Sequence, residues 1–271
     1  MLRRTLFAVF AALLVAPASA EERFITVAST TAPEESGLFR HILPLFRQQT
    51  GIEVRVVVVG TGRALQIGMK GEADAVMVHD RLGEERFVAE GHGLDRRDVM
   101  FNDFVIVGPA TDPAHIRGLR DASDALQRIA RSKSLFLSQG DDSGTHREEL
   151  RLWTEAGFKR VEGEWYKEVG QSTGPTIHVA AGLNAYALTD RATWATFQDR
   201  RILDLLVAGD PELYNPYSSI LVNPAKGAHI KEADARTWHE WLTSSEGRRA
   251  ISTFHVRGEQ LFFLPGTLPP L

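Results

Sequence analysis

The stretches "RFITVAST" at residues 23–30, "SGLFRHILPLFRQQTG" at 36–51 and "IEVRVVVVG" at 52–60 follow one another directly, and their order decides the fold class. The first is an apolar run ending in hydroxyls. The second spaces its apolar residues as one face of a helix, and the third is a β-branched run of the kind buried on both faces of a sheet. The alternation continues through a helix opened by "GTGRALQIGMKG" (60–71), a short strand "ADAVMVH" (73–79), a helix "LGEERFVAEGHG" (82–93) stopped by Gly91 and Gly93, and a strand "FNDFVIVGP" (101–109). This βαβαβ order predicts an α/β protein whose mostly parallel sheet is covered by helices on both faces, with ligands meeting the carboxyl ends of its strands.

A second set of elements repeats the rhythm without copying the sequence: "DASDALQRIARS", "SLFLSQ", "SGTHREELRLWTEAG", then "PTIHVAAGLNAYALTDRATWATF". After another apolar strand in "ILDLLVAGDPELYNPYSSILVNP", an amphipathic helix is expected over "DARTWHEWLTSSEGRRAISTFH". Two lobes follow, the first from 21–108 plus 216–271 and the second from 109–215. The chain crosses between them twice, so they should close on a ligand held in the cleft. Tyr186, Trp194 and the pair Asp190-Arg191 are expected to brace the hinge side of the second lobe.

Residues 1–20 put Arg3 and Arg4 ahead of an apolar run from Leu6 to Ala16 and end in Ala18-Ser19-Ala20, the pattern of a cleaved signal peptide. The run is too short to span a membrane, and no later stretch approaches ~18 continuous apolar residues. With no cysteine, the chain has neither a lipid anchor on a terminal cysteine nor disulfides. A free, monomeric periplasmic protein is the expectation. The formal charge of −4 grows more negative once the two leader arginines are gone, which argues against nucleic acid as a partner and leaves a small ligand.

Four loops of small residues each precede an expected helix: Ser29-Thr30-Thr31, Gly60-Thr61-Gly62, Ser143-Gly144-Thr145 and Ser172-Thr173-Gly174. A helix start offers unpaired N–H groups and a partial positive charge, and hydroxyls add donors, so several such starts around one cleft make an oxyanion site. The ordinary alternative for any single loop is a plain helix cap, and Asp142 reads as such a cap. "GTG" lacks the G-x-G-x-x-G register of a dinucleotide loop. Ser143 and His146 crowd one end of one helix without a G-x-S-x-G elbow, so no enzyme is expected. Among the histidines none has metal-ligand spacing, and His79, at a strand end near the same rim, is the one to watch. No cofactor and no metal cation are expected.

Eleven motifs, among them "GTGRALQIG", "GEADAVMVH", "RRDVMFNDFVIVGP", "GDDSGTH", "WYKEVGQ", "AYALTDRATW" and "NPYSSILVNP", make the chain resemble the periplasmic tungstate-binding proteins of ABC importers along nearly its whole mature length. The resemblance implies the two-lobed, type II periplasmic binding protein fold with two crossover hinge strands. It also implies an oxyanion ligand, most naturally tungstate, and the transmembrane subunits of an ABC permease as partners. Molybdate, sulfate, phosphate, a small carboxylate or a ligand-sensing role are the alternatives. The implied ligand loops lie around Ser29 to Ala32, Gly60 to Arg63, Gln139 to Thr145 and Gln171 to Gly174. Thr30, Thr31, Ser143 and Thr145 are the expected donors, and Gly62 and Gly174 are expected to let backbone approach the ligand.

The departures from the family pattern fall in those loops. Ala32 stands where the family has a serine, Gln139 where it has an arginine, and Ser172-Thr173-Gly174 where it has Gly-Met-Gly. Exchanging arginine for glutamine keeps a donor but removes a charge, a loss of ~1.5 to 3 kcal/mol in a dry site, or about ten- to a hundredfold in affinity. Thr173 and Arg63 are the residues placed to compensate, Arg63 having a solvated helix position as its ordinary alternative.

Overall fold

A computed structural model describes residues 23–198 and 202–267; the signal peptide expected over 1–20 lies outside the described residues. In the first lobe, β1 (Phe24–Ser29) leads through a short helix α1 (Thr31–Glu35) and α2 (Leu38–Thr50) to β2 (Glu53–Val58). Then come α3 (Thr61–Lys70), β3 (Ala75–Val78), α4 (Arg81–Ala89) and the long strand β4 (Gly93–Pro109). The second lobe holds α5 (Ala122–Ser132), β5 (Phe136–Ser138), α6 (Gly144–Glu155), β6 (Tyr166–Glu168), α7 (Thr173–Leu183), β7 (Tyr186–Asp190), α8 (Arg191–Thr196) and β8 (Leu203–Val207). The chain returns in β9 (Tyr214–Val222) and ends in α9 (Glu232–Thr243), α10 (Ser245–Ser252) and a small hairpin, β10 (His255–Val256) with β11 (Glu259–Gln260).

Strands β2, β1 and β3 run parallel in one lobe, as do β6, β5 and β7 in the other. Strand β4 and its antiparallel partner β9 join them into one sheet, ordered β2-β1-β3-β9-β4-β7-β5-β6. Strand β3 and the second half of β4, inside the sheet, are buried on both sides, whereas the edge strand β2 leaves Arg55 and Val57 exposed, against the two-sided burial expected of its β-branched run. Ala75 and Met77 of β3 enter one core while Val76 and Val78 enter another, and Phe104 and Ile106 of β4 oppose Val105 and Val107 in the same way. That two-sided burial is why these segments read as continuous apolar runs.

Strands β4 and β9 are the two crossovers. β4 pairs with β9 as far as Asp103 and with β7 from Phe104 onward, so it changes lobes near residue 103, ahead of the 108/109 boundary expected from the sequence. β4 also begins at Gly93, well before the apolar run at 101, because its first half carries polar residues on an exposed face. The expected single C-terminal helix is two. Ser244 has extended backbone, and its hydroxyl caps α10 by accepting the Gly247 N–H. A hydroxyl-rich Thr-Ser-Ser run competes with a continuous helix in this way.

Candidate functional site

The carboxyl ends of the strands of both lobes meet around a cavity of about 40 Å³. Thr30, Thr31 and Ala32 follow β1, Val59, Gly60 and Thr61 follow β2, and His79 follows β3. From the second lobe come Gln139, Asp141, Ser143 and Thr145 after β5, Ser172 and Thr173 after β6, and Asp190 at the end of β7. One water needs roughly 10–15 Å³ on this scale, so the space suits an ion of a few heavy atoms and no sugar or nucleotide.

Two kinds of helix start occur in the protein. Asp80, Asp121 and Asp190 cap α4, α5 and α8 by accepting first-turn N–H groups. Of the five caps that line the cavity, Asp190 and Ser143 make such a bond, whereas Thr30, Gly60 and Ser172 do not, so the first-turn donors of α1, α3 and α7 are left unengaged by the cap side chains. The Thr30 and Thr61 hydroxyls are buried and have no hydrogen-bond partner within the protein. A buried polar atom left so costs about 1–3 kcal/mol, and a bound anion is the partner that would satisfy both.

The opposite wall is bonded within itself. Gln139 is buried; its Nε2 donates to Thr173 Oγ1 at 2.8 Å, and its Oε1 accepts from Ser143 Oγ at 2.8 Å. Ser143 Oγ in turn accepts the His146 N–H at 3.2 Å, which makes Ser143 the cap of α6. Its proton and an acceptor position are therefore engaged, whereas Thr173, accepting from Gln139, keeps its own proton for the cavity. Asp142 does not cap α6. It has φ 56° and pairs with Arg147, while Asp141 Oδ1 accepts the Ser143 N–H at 3.1 Å. His146 accepts the Asp142 N–H on Nδ1, so Ser143 and His146 form no nucleophile and base pair.

Among the described residues no lysine or arginine lines the cavity. Burial holds the His79 imidazole neutral, with its pKa lowered to about 4. His79 stacks on Tyr217 and is bonded through Nδ1 to Asn215 Oδ1 at 2.9 Å. Asn215 donates to Asn102 at 2.6 Å, and Asn102 donates to Asp190 at 3.3 Å. This chain of polar groups runs through both crossover strands and ties one cavity wall to the other. Asp190 also accepts from Thr193 N at 2.9 Å, and burial raises its carboxyl pKa. Of the residues expected to brace the hinge side, Asp190 and Arg191 do so, Arg191 Nε donating to Asp103 at 2.6 Å, whereas Tyr186 lies in the core of the second lobe with its hydroxyl on Asp112. Behind the Gln139 wall, burial pushes the Glu149 carboxyl up to about 8 while Tyr166 OH donates to it at 2.8 Å.

Of the residues expected at the site, Thr30, Thr31, Gln139, Ser143, Thr145 and Thr173 line the cavity. Ser29, Gly62, Arg63 and Gly174 do not. The Ser29 hydroxyl donates to the Met77 carbonyl at 2.7 Å and links β1 to β3. Arg63 is exposed and donates to Gln66 at 3.3 Å, the ordinary position of a helix arginine. A Cβ on Gly62 would meet the Arg147 guanidinium, and one on Gly174 would approach the Glu35 carboxylate. Thr61, inside the Gly60-Thr61-Gly62 loop but not among the expected donors, lines the cavity with a buried, unpartnered hydroxyl. Asn102 and Asn215 carry no local signal, since their partners are distant in sequence, and the same holds for the Arg147 contact with Asp80.

The sequence matches the PBP superfamily domain over residues 15–246. It is 44% identical over 232 residues, 85% of this chain and 81% of the relative, to the tungstate-binding protein TupA of Peptoclostridium acidaminophilum. The chain belongs to the tungstate-binding protein family of ABC importers. Members of the family with solved structures superimpose on it. The tungstate ABC transporter protein of Geobacter sulfurreducens has a TM-score of 0.80 and 43% identity, covering 87% of this chain and all of that one. TupA of Desulfovibrio alaskensis G20 has a TM-score of 0.76 and 38% identity, covering 89% and 98%. The two-lobed, mixed α/β architecture is the family's, and among the described residues no helix is long and apolar enough to cross a membrane.

Proposed function

We propose that this chain captures a small, fully ionised oxyanion, tungstate before its analogues, in the periplasm and hands it to the transmembrane subunits of an ABC permease. The carrying observation is the 40 Å³ cavity in which Thr30 and Thr61 present buried hydroxyls without partners beside helix starts whose caps are open. A dianion without protons needs donors only, and Thr173 supplies another from the facing lobe. Helix-start N–H groups and hydroxyls then do the work that a direct cation would do elsewhere. The signal-like pattern of residues 1–20 and the family's transport role support the location and the partner, and we take the protein to act as a monomer.

Asp141 favours a second reading. Its carboxylate lines the cavity with Oδ1 on the Ser143 N–H, and an acceptor there suits an anion that keeps a proton, such as phosphate. Isothermal titration calorimetry of the mature, ligand-stripped protein with tungstate, molybdate, sulfate and phosphate decides between them. Tight tungstate binding with weak phosphate binding is expected; the reverse order, or silence toward all four, would sink the proposal.

A further inference from the structure

A single guanidinium joins the two lobes beside the cavity. Arg147, on α6 of the second lobe, donates through Nη1 to Asp80 Oδ2 of the first lobe at 2.6 Å. Its Nε and Nη2 grip Asp142 of its own lobe at 2.9 and 3.0 Å. It lies at the edge of an interlobe groove of ≈ 370 Å³ that shares His79 with the anion cavity. Gly62 of α3 forms the seat: a Cβ there would fall 2.5 Å from Arg147 Nη2 and 3.1 Å from Asp142 Oδ2. Gly144 does the same in the other direction, since its Cβ would fall 2.6 Å from His79 Cε1 and 2.8 Å from Thr61 Oγ1. Neither glycine has a positive φ, so backbone conformation does not demand them. At both places a side chain would run into the facing lobe, at Gly62 into the flexible tip of Arg147, which would have to leave its seat.

We propose that Arg147, seated in the Gly62 notch and bonded to Asp80, is the latch that holds the closed form and slows release of the captured anion. When the lobes part, no charge is stranded. Arg147 keeps Asp142, and Asp80 keeps its cap bond to the Gly83 N–H at 3.1 Å. The contact is thus made only on closure, and its parts stay satisfied without it, which lets it bias the equilibrium without trapping the ligand. The pair is partly exposed, so its effect is moderate and sensitive to salt.

The inference rests on capture of an oxyanion by closure, and its test uses sodium tungstate as the probe. Gly62→Ala, Arg147→Ala, the double variant and Asp80→Asn, which preserves the cap, are compared by calorimetry and by stopped-flow dissociation. Each single change should weaken binding about 3- to 10-fold, mainly through faster release, as for partly exposed charge pairs. The double variant should be no weaker than Arg147→Ala alone, because an empty notch tolerates a methyl group. Gly62→Ala should melt at the same temperature as the parent or higher without ligand, since alanine is the better helix former; a merely structural role for the glycine predicts the opposite. Additive losses, or none, overturn the latch. A parent protein blind to tungstate sinks the functional reading instead. Small-angle scattering of the ligand-free proteins then decides: larger radii of gyration in the single variants support the latch, and equal radii overturn it.

Discussion

The two walls of the cavity are built differently from similar residues. On the first lobe the Thr30 and Thr61 hydroxyls stand free beside uncapped helix starts. On the second, Gln139 binds Thr173 and Ser143 to each other, and Ser143 caps its own helix. One wall keeps its donors for a ligand, and the other uses its polar groups to hold a shape. The same residue type thus supports recognition on one side and rigidity on the other, decided by whether an internal partner is in reach.

Placing a charge in the rigid wall should break this division most severely. Gln139→Glu keeps the acceptor for Ser143 but sets a carboxylate against the dianion, a repulsion of ~6 kcal/mol at about 5 Å and an effective dielectric near 20, or roughly ten-thousandfold or more in affinity while that carboxylate is ionised. Burial will raise that carboxyl's pKa, so affinity measured by calorimetry should recover as the pH is lowered and the group becomes neutral. Little loss at pH 8 would mean that the side chain does not face the ligand.

Thr30→Val and Thr61→Val should each cost about 10- to 100-fold in tungstate affinity, the effect of removing a hydrogen bond to a charged group. Ser143→Ala should cost threefold or less in affinity while losing about 1 kcal/mol of stability with its cap. Equal affinity losses for all three would erase the distinction between the walls.

Stability against pH probes what stands behind the rigid wall. Glu149 holds its proton up to about 8 in the folded protein and loses it near the ordinary carboxylate value when unfolded. The folded state therefore binds more protons between those values, and the contribution of Glu149 to stability falls as pH rises toward 8. Glu149→Gln should stay flat there. The difference between variant and parent in urea unfolding should grow with pH by up to ~1.4 kcal/mol per unit. His79 has the opposite sign: its pKa of about 4 makes stability fall as pH drops below the ordinary histidine value. Parallel curves for Glu149→Gln and the parent would show that Glu149 is ionised when folded.

Much of the scaffold was legible from local pattern alone. Apolar runs placed β1, β2, β3 and the second half of β4; in β3 and β4 burial on both faces leaves a continuous hydrophobic run, whereas β2, at the sheet edge, keeps part of its β-branched run exposed. All four small-residue loops do precede helices, and each contributes to the cavity lining, since cap chemistry acts over three or four residues. Local signals misled where the choice lay between near neighbours. Asp142 reads as the cap and Ser143 as a ligand donor, but the left-handed backbone of Asp142 excludes it and Ser143 caps the helix. Gly62 looked like room for a ligand and is room for Arg147.

The sequence by itself determined the α/β rhythm, the helix starts rich in donors and the family, because each is written in spacing over a few residues or in extended motifs. Only the tertiary structure decided which donors are free. His79 meets Asn215 across 136 positions, Asn215 meets Asn102 across 113, and Arg147 meets Asp80 across 67. Whether a hydroxyl faces a ligand or a neighbour depends on such partners, and folding brings them together at distances no local pattern records.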